Sequence, residues 1–435
     1  MRTARNGHTT KDMETVARIE QVDVEFIRRG IESGRIIIPR SNRRDLGLPI
    51  GIGKGLLVKI NANVGSSKTH CNIDEEVEKA KIAVQFGADT VMDLSTGITE
   101  ADLITIRKRI SDEAKVPLGT VPIYQTALRA LENKGAIIHM DEDDMFNVVE
   151  EQAKEGVDFF TIHVGVTQEI VNYLIKHPRL MGVVSRGGTF LASWIIENNM
   201  ENPYNRRYDY LLEMAKEYDF TLSLGDGMRP GSIFDSTDFA QVQELLEISK
   251  LVKRAWAADV QVMVEGPGHI PANEVEHNIK MQKSLCNEAP FYVLGPLVTD
   301  IAPGYDDIVG AIGGVLAGLA GADYLCYVTP AEHLGLPTKD DVKRGVISSK
   351  IAAHAVNIAR YGKRVSDWDY KMDIARKELN WEGMIEQAID PELAREIHYR
   401  NGCAEDDEEV CSMCGEFCAI KLLKDTLESK KNSTL

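Results

Sequence analysis

No apolar run approaches the roughly 18 to 20 residues that a bilayer span requires, and the opening residues Met1-Arg-Thr-Ala-Arg-Asn lack the apolar segment of a signal peptide. A membrane role is therefore not expected, and a cytoplasmic location is. Positive charge is also in short supply, since 50 Lys and Arg stand against 67 Asp and Glu, for a formal net charge of −17. Such a field repels phosphate backbones, and no basic stripe interleaved with aromatics offsets it, which argues against nucleic acid as a partner. Cysteine is sparse at seven residues. In a reducing compartment these are not a disulfide framework.

What is present is an ordinary globular composition, with 43% hydrophobic and 27% charged residues over 435 positions. Short β-branched runs recur at residues 57–63, 90–94, 119–123, 159–164, 182–185, 221–224, 260–265, 291–295 and 324–328, most followed by a turn and a segment of helical period. Runs that are apolar throughout fit strands buried on both faces, and their spacing is that of successive βα units, so a parallel sheet is expected. Gly87-Ala-Asp89, Gly156-Val-Asp158 and Gly321-Ala-Asp323 each place a glycine and then an acid before a strand. A glycine that ends a helix in the left-handed region marks a helix-to-strand junction, and three copies of it favour a barrel. Nine candidate strands compete for eight barrel positions, so at least one of them is no strand or lies outside the barrel.

This predicts an α/β chain built on a (β/α)8 TIM-type barrel over residues 56–353. A small lead-in over 1–55 precedes it, with Arg35-Ile-Ile-Ile-Pro39 as an extra strand, and a charged helical region over 354–435 follows. The acidic stretch Glu405-Asp-Asp-Glu-Glu409 reads as a solvated linker to a tail.

That tail carries the strongest chemical signal. Cys71, Cys286 and Cys326 stand singly, whereas Cys403, Cys411, Cys414 and Cys418 crowd the C-terminal end. Within Cys411-x2-Cys414-x3-Cys418, three thiolates come together on one loop, suited to an iron–sulfur cluster or to zinc. Structural zinc takes four ligands, and Cys403 or His398 would supply the fourth in a zinc knuckle. A cubane with three cysteines instead leaves one iron open, the vacancy that S-adenosylmethionine needs in order to chelate the cluster.

A second group of polar residues sits at strand ends: Asn61, Asn63, Met92-Asp93, Tyr124, His163, Ser185-Arg-Gly187, Asp226-Gly-Met-Arg229, Glu265-Gly-Pro-Gly-His269 and Glu332-His333. In a barrel these ends meet at one mouth. Ser185-Arg-Gly-Gly188 and Arg229-Pro-Gly-Ser232 read as phosphate grips, because arginine and accessible backbone N–H groups both suit an anion. His269 and His333 would form half of a zinc site, and Glu265 would act as a base or hold a polar ring.

With Lys59-Ile-Asn-Ala-Asn-Val-Gly65, Met92-Asp-Leu-Ser-Thr-Gly97, Val184-Ser-Arg-Gly-Gly188, Leu224-Gly-Asp-Gly-Met-Arg-Pro-Gly-Ser232, Glu265-Gly-Pro-Gly-His269, Thr299-Asp-Ile-Ala-Pro-Gly-Tyr305 and Tyr327-Val-Thr-Pro-Ala-Glu-His-Leu334, the chain resembles the phosphomethylpyrimidine synthase family over nearly its whole length. The resemblance implies a radical enzyme that converts 5-aminoimidazole ribotide to 4-amino-5-hydroxymethyl-2-methylpyrimidine phosphate, releasing formate, carbon monoxide, methionine and 5′-deoxyadenosine. It places Asn63, Met92, Tyr124, His163, Ser185, Arg186, Gly187, Asp226, Gly227, Met228, Arg229, Glu265 and Tyr292 around the ribotide. It also assigns zinc to His269 and His333 and a [4Fe–4S] cluster to Cys411, Cys414 and Cys418. An external electron donor and a homodimer, with the tail of one subunit closing the barrel of the other, are implied as well. A sister enzyme, 5-hydroxybenzimidazole synthase, is similar and takes the same ribotide; a ribotide-binding barrel with a zinc-knuckle tail is the reading from a different class. The chain departs from the family pattern in having three rather than four residues between its second and third cluster cysteines. It also carries Asp307 where a histidine is usual, and it lacks the long N-terminal extension of larger members.

Overall fold

The computed structural model describes residues 1–44, 47–97, 99–400 and 410–433. Cys403 and the acidic stretch 405–409 lie outside the described residues. The chain divides into two compact units, Met1–Val356 and Asn357–Leu435.

The first unit is built on eight parallel strands: β1 (Lys59–Val64), β2 (Thr90–Asp93), β3 (Leu118–Thr120), β4 (Phe159–Ile162), β5 (Thr221–Leu224), β6 (Val262–Gly266), β7 (Phe291–Leu294) and β8 (Tyr324–Cys326). Each pairs with its neighbours in chain order, and β8 returns to β1 through Tyr324 opposite Lys59, so the sheet closes on itself. The main hydrophobic core packs strand residues such as Phe160, Leu222 and Val264 with helix residues such as Val149, Leu211 and Val252. This buries both faces of every strand, which is why the strands read as unbroken apolar runs rather than alternating ones.

The expected strand over 182–185 does not form. Its two valines lie between Gly182, in the left-handed region, and Ser185, whose hydroxyl caps the helix Arg186–Asn198 by accepting from the Gly188 N–H. A run of two β-branched residues between a turn and a helix cap has no length left for pairing. The strand expected over 119–123 stops at Thr120, because Pro122 lacks the N–H a strand needs and suits the first turn of the helix Pro122–Lys134.

The three glycine–acid repeats sit where the chain re-enters the barrel. Gly87, Gly156 and Gly321 have φ of 113°, 91° and 133°, and each is followed by an aspartate that accepts the N–H opening an adjacent strand or the residue next to it. Asp89 accepts from Ile60 at 2.8 Å, Asp158 from Leu118 at 2.8 Å and Asp323 from Phe291 at 3.0 Å. Each acid therefore stitches two strands together at the base of the barrel. Ahead of the barrel, the helices Lys11–Glu20 and Val24–Glu32 bury Val16, Ile27 and Ile31 in a small core of their own. Ile36–Ile37 pairs antiparallel with Ile52–Gly53, placing the extra strand of the lead-in in a two-stranded ribbon. A buried ion pair from Glu20 to Lys59, 2.6 Å long, anchors the lead-in to β1.

The second unit is helical, with Asp367–Lys377, Trp381–Gln387, Pro391–Tyr399 and Ala419–Ser433 as its main elements.

Candidate active site

The C-terminal ends of the strands converge on a cavity of about 90 Å³ at the mouth of the barrel. Asn63, Met92, Tyr124, His163, Asp226, Arg229, Glu265 and Tyr292 line it, joined by Thr161, Leu94, Leu294 and Cys326. A second space of about 460 Å³ shares Asn63, Tyr124 and Arg229 with it and adds Arg186, His269 and His333. Residues separated by some 270 positions in the chain thus meet because each lies at or just beyond the C-terminal end of a parallel strand or on the segment that follows it.

Their polar atoms form a connected network. Asn61 donates to Asn63 Oδ1 at 2.7 Å and to the Tyr292 hydroxyl at 2.8 Å, while Asn63 Nδ2 donates to Cys326 Sγ at 3.0 Å. The Thr161 hydroxyl donates to Glu265 Oε1 at 2.6 Å, and the Ser223 hydroxyl donates to the same oxygen. Arg229 donates to Asp226 Oδ1 at 3.1 Å, and the Arg186 guanidinium lies over the Tyr124 ring, 5.2 Å from its centroid. Burial, reinforced by the nearby Asp226 carboxylate, pushes the Glu265 carboxyl up to about 7, and burial raises Asp226 as well. Burial, together with the charge of Arg229, pushes His163 down to about 3, so its ring is neutral. One face of that ring is settled by the Ser185 hydroxyl, 3.1 Å from Nε2; Nδ1 is buried and has no hydrogen-bond partner.

Five of the expected ribotide residues do not line the smaller cavity: Arg186 lines the outer space, and the other four shape the wall. Ser185 holds His163. A Cβ on Gly187 would stand 2.2 Å from the His163 ring, so only glycine allows the approach. Gly227 lies backbone to backbone with Gly188, whose own Cβ would fall 2.3 Å from the Gly227 carbonyl oxygen, and the Met228 side chain is fully buried.

The two histidines of the outer space face each other with 3.2 Å between their Nε2 atoms. Each has its other nitrogen engaged by a carboxylate, His269 Nδ1 by Asp300 at 2.8 Å and His333 Nδ1 by Asp306 at 3.1 Å. Two nitrogens bound at about 2.05 Å to one tetrahedral ion would be about 3.3 Å apart, and a carboxylate behind each ring is the usual support of a metal-binding imidazole. Among the described residues, no group of three or more His, Cys, Asp or Glu side chains is arranged to hold a metal ion. Asp307, at the position where the family often has histidine, is buried and ion-paired to Arg344 at 2.8 Å, with the Ser348 hydroxyl 2.9 Å away. It joins the helix Asp306–Ala320 to the helix Lys339–Tyr361.

In the second unit the cysteine loop is a tight turn: Gly415 N–H donates to the Cys411 carbonyl at 3.0 Å, and Gly415 itself has φ of 50°. Backbone N–H groups of Cys414 and Met413 aimed at Cys411 lower its thiol below the ordinary range. Such donors stabilise a thiolate, and a consecutive three-thiol loop suits an iron–sulfur cluster. His398, the alternative zinc ligand, stacks on Trp381 with ring centroids 4.3 Å apart.

A sequence profile described as the Radical SAM ThiC family matches residues 1–425. The chain belongs to that family. It is 53% identical to the phosphomethylpyrimidine synthase 1 of Methanosphaera stadtmanae, covering 99% of each chain. It is also 52% identical to the phosphomethylpyrimidine synthase of Pyrococcus furiosus, covering 100% of this chain and 99% of the relative. The enzyme of Methanocaldococcus jannaschii is similar at 52% identity, with 97% of this chain and 98% of that one covered. As a radical SAM ThiC family member, the chain uses a [4Fe–4S] cluster and S-adenosylmethionine.

Several residues of the site lay outside the sequence reading. Thr161 and Ser223 are unremarkable hydroxyls within apolar strands, and Cys326 is one of three isolated cysteines. Asp300 and Asp306 stood inside a family-like segment or just beyond it, but only the fold shows which histidine each supports.

Proposed function

We propose that this ThiC-family chain converts 5-aminoimidazole ribotide to 4-amino-5-hydroxymethyl-2-methylpyrimidine phosphate, with formate, carbon monoxide, methionine and 5′-deoxyadenosine as the other products. The observation that carries this reading is the enclosed ring of Asn63, Tyr124, His163, Asp226, Arg229 and Glu265 in a chain 52–53% identical end to end to phosphomethylpyrimidine synthases.

Arg229 and Arg186 meet the phosphate, aided by the backbone N–H groups that the glycines of Ser185-Arg-Gly-Gly188 leave accessible. His163, neutral, lines the same space, with its Nδ1 edge packed against Gly187. Glu265 is the group suited to move protons: near neutral pH it is close to half ionised, and because Thr161 and Ser223 both bond Oε1, Oε2 remains for the substrate. Met92, Leu94 and Leu294 exclude water from the same space. Cys411, Cys414 and Cys418 would hold the cluster, which when bound would supply the electron for reductive cleavage of S-adenosylmethionine. His269 and His333 are the ligands of a zinc ion, their rings aimed by Asp300 and Asp306. A homodimer and an external electron donor complete the proposal, on the strength of the family resemblance alone.

Anaerobic incubation with aminoimidazole ribotide, S-adenosylmethionine and a chemical reductant, followed by mass spectrometry, is the test. The pyrimidine phosphate is expected. A hydroxybenzimidazole product would place the chain with the sister activity and overturn the proposal.

A further inference from the structure

Asp226 and Arg229 owe their places to a short loop after β5, which its own Arg229 N–H closes onto the Asp226 carbonyl at 3.1 Å and which is also held from outside. Its central residue, Met228, is held at both its N–H and its carbonyl by residues outside the ring just described. Glu244, on the helix Phe239–Ala257, accepts the Met228 N–H at 2.8 Å; Arg179, from the segment before Ser185, donates to the Met228 carbonyl at 2.8 Å. Both side chains are buried, Glu244 at 3% residue exposure and Arg179 at 2% side-chain exposure. The two grips are joined through one helix, since Asp238, which accepts from Arg179 Nε at 2.7 Å, is also the residue capping that helix by accepting the Gln241 N–H. Asp235 fastens the neighbouring backbone by accepting from Leu180 and Met181.

We propose that Glu244 and Arg179 are positioning residues for the ribotide reaction, gripping the Met228 N–H and the Met228 carbonyl and so holding Asp226 and Arg229 against the substrate. The inference rests on the reading of the cavity as the ribotide site. Its chemistry is specific, because a buried carboxyl could have been replaced by an apolar residue at little cost had it served packing alone. Behind the loop lies a small space of about 30 Å³ lined by Glu244, Asp226 and Arg229 together with the apolar Leu245, Ile248 and Phe291. The charged groups facing Glu244 are Asp226 and Arg179, with Glu265 and Arg229 across that space. Burial and then Asp226 push Glu244 up to about 8, against the pull of the Met228 N–H and Arg179. Glu244 is therefore protonated at neutral pH and acquires a charge beside Asp226 only in alkali.

Two measurements on the full-length holoenzyme test this. Hydrogen exchange over residues 225–230 reads the grip without any substrate: Glu244→Ala and Arg179→Met should each speed it about tenfold or more, the loss of one buried hydrogen bond. Steady-state kinetics read its purpose: the same variants raise the ribotide KM about tenfold or more and change kcat less. Glu244→Gln still accepts the Met228 N–H and cannot ionise, so its KM rises less than about threefold near neutrality. Its KM should also lack the increase expected of the wild type above pH of about 8. Unchanged exchange in both disruptive variants overturns the grip, as does an alkaline rise in the glutamine variant equal to that of the wild type. Faster exchange in an enzyme whose wild type fails to bind ribotide would instead leave the grip standing and remove the reading of the site. Should Glu244→Ala not fold, Arg179→Met and Glu244→Gln decide the matter between them.

Discussion

At the scale of single residues, Glu265 shows how burial assigns a role. The same carboxyl on a surface would be ionised throughout the physiological range. Here desolvation and the adjacent Asp226 push it up to about 7, while two hydroxyls hold one oxygen in place. Glu265→Gln preserves an acceptor for Thr161 and Ser223 but cannot exchange a proton. Ribotide affinity measured by calorimetry should change less than about threefold, while turnover falls about 100-fold or more. Equal turnover would reduce Glu265 to a structural residue. The same shift has a signature in stability. Between the ordinary carboxyl value of 4.5 and about 7, the unfolded chain has released the proton that the folded protein retains, so stability is lost as pH rises across that window. The glutamine variant does not titrate, and its melting temperature should decline less than that of the wild type between those two pH values.

At the scale of elements, the aspartates of the glycine–acid repeats act as joints rather than as chemistry. Asp158 is the most connected, accepting from Leu118 and from Ser41 at 2.8 Å each and pairing with Arg44 at 2.9 Å. It ties β3 and the lead-in to the start of β4. Asp158→Ala leaves a buried arginine and two backbone N–H groups uncompensated, and should cost about 3 to 5 kcal/mol in urea denaturation. The repeats could be recognised in the sequence because a left-handed glycine and a capping acid are local requirements. The ninth strand could not be rejected on the same basis. Val183 and Val184 have strand-like side chains, and what excludes them is that the eight neighbouring strands already satisfy one another around a closed ring. The early end of β3 was legible in principle, since Pro122 marks it directly.

At the scale of the whole molecule, the cavity proposed for the ribotide and the cysteine loop proposed for the cluster belong to different compact units. Cys414→Ala should therefore abolish cleavage of S-adenosylmethionine, assayed as 5′-deoxyadenosine release, while ribotide binding by calorimetry stays within about twofold. Cleavage surviving in that variant would remove the cluster from Cys411, Cys414 and Cys418. The sequence by itself determined the features that depend on near neighbours along the chain: the repeating βα units, the glycine–acid junctions and the three-thiol loop, each a matter of period or spacing. Tertiary structure alone decided which strand ends share a height, that Thr161 and Ser223 converge on Glu265, and that Asp300 and Asp306 stand behind the two histidines. The reason is physical: closing the barrel brings together residues hundreds of positions apart, and the burial that results, which no local pattern encodes, sets their charge.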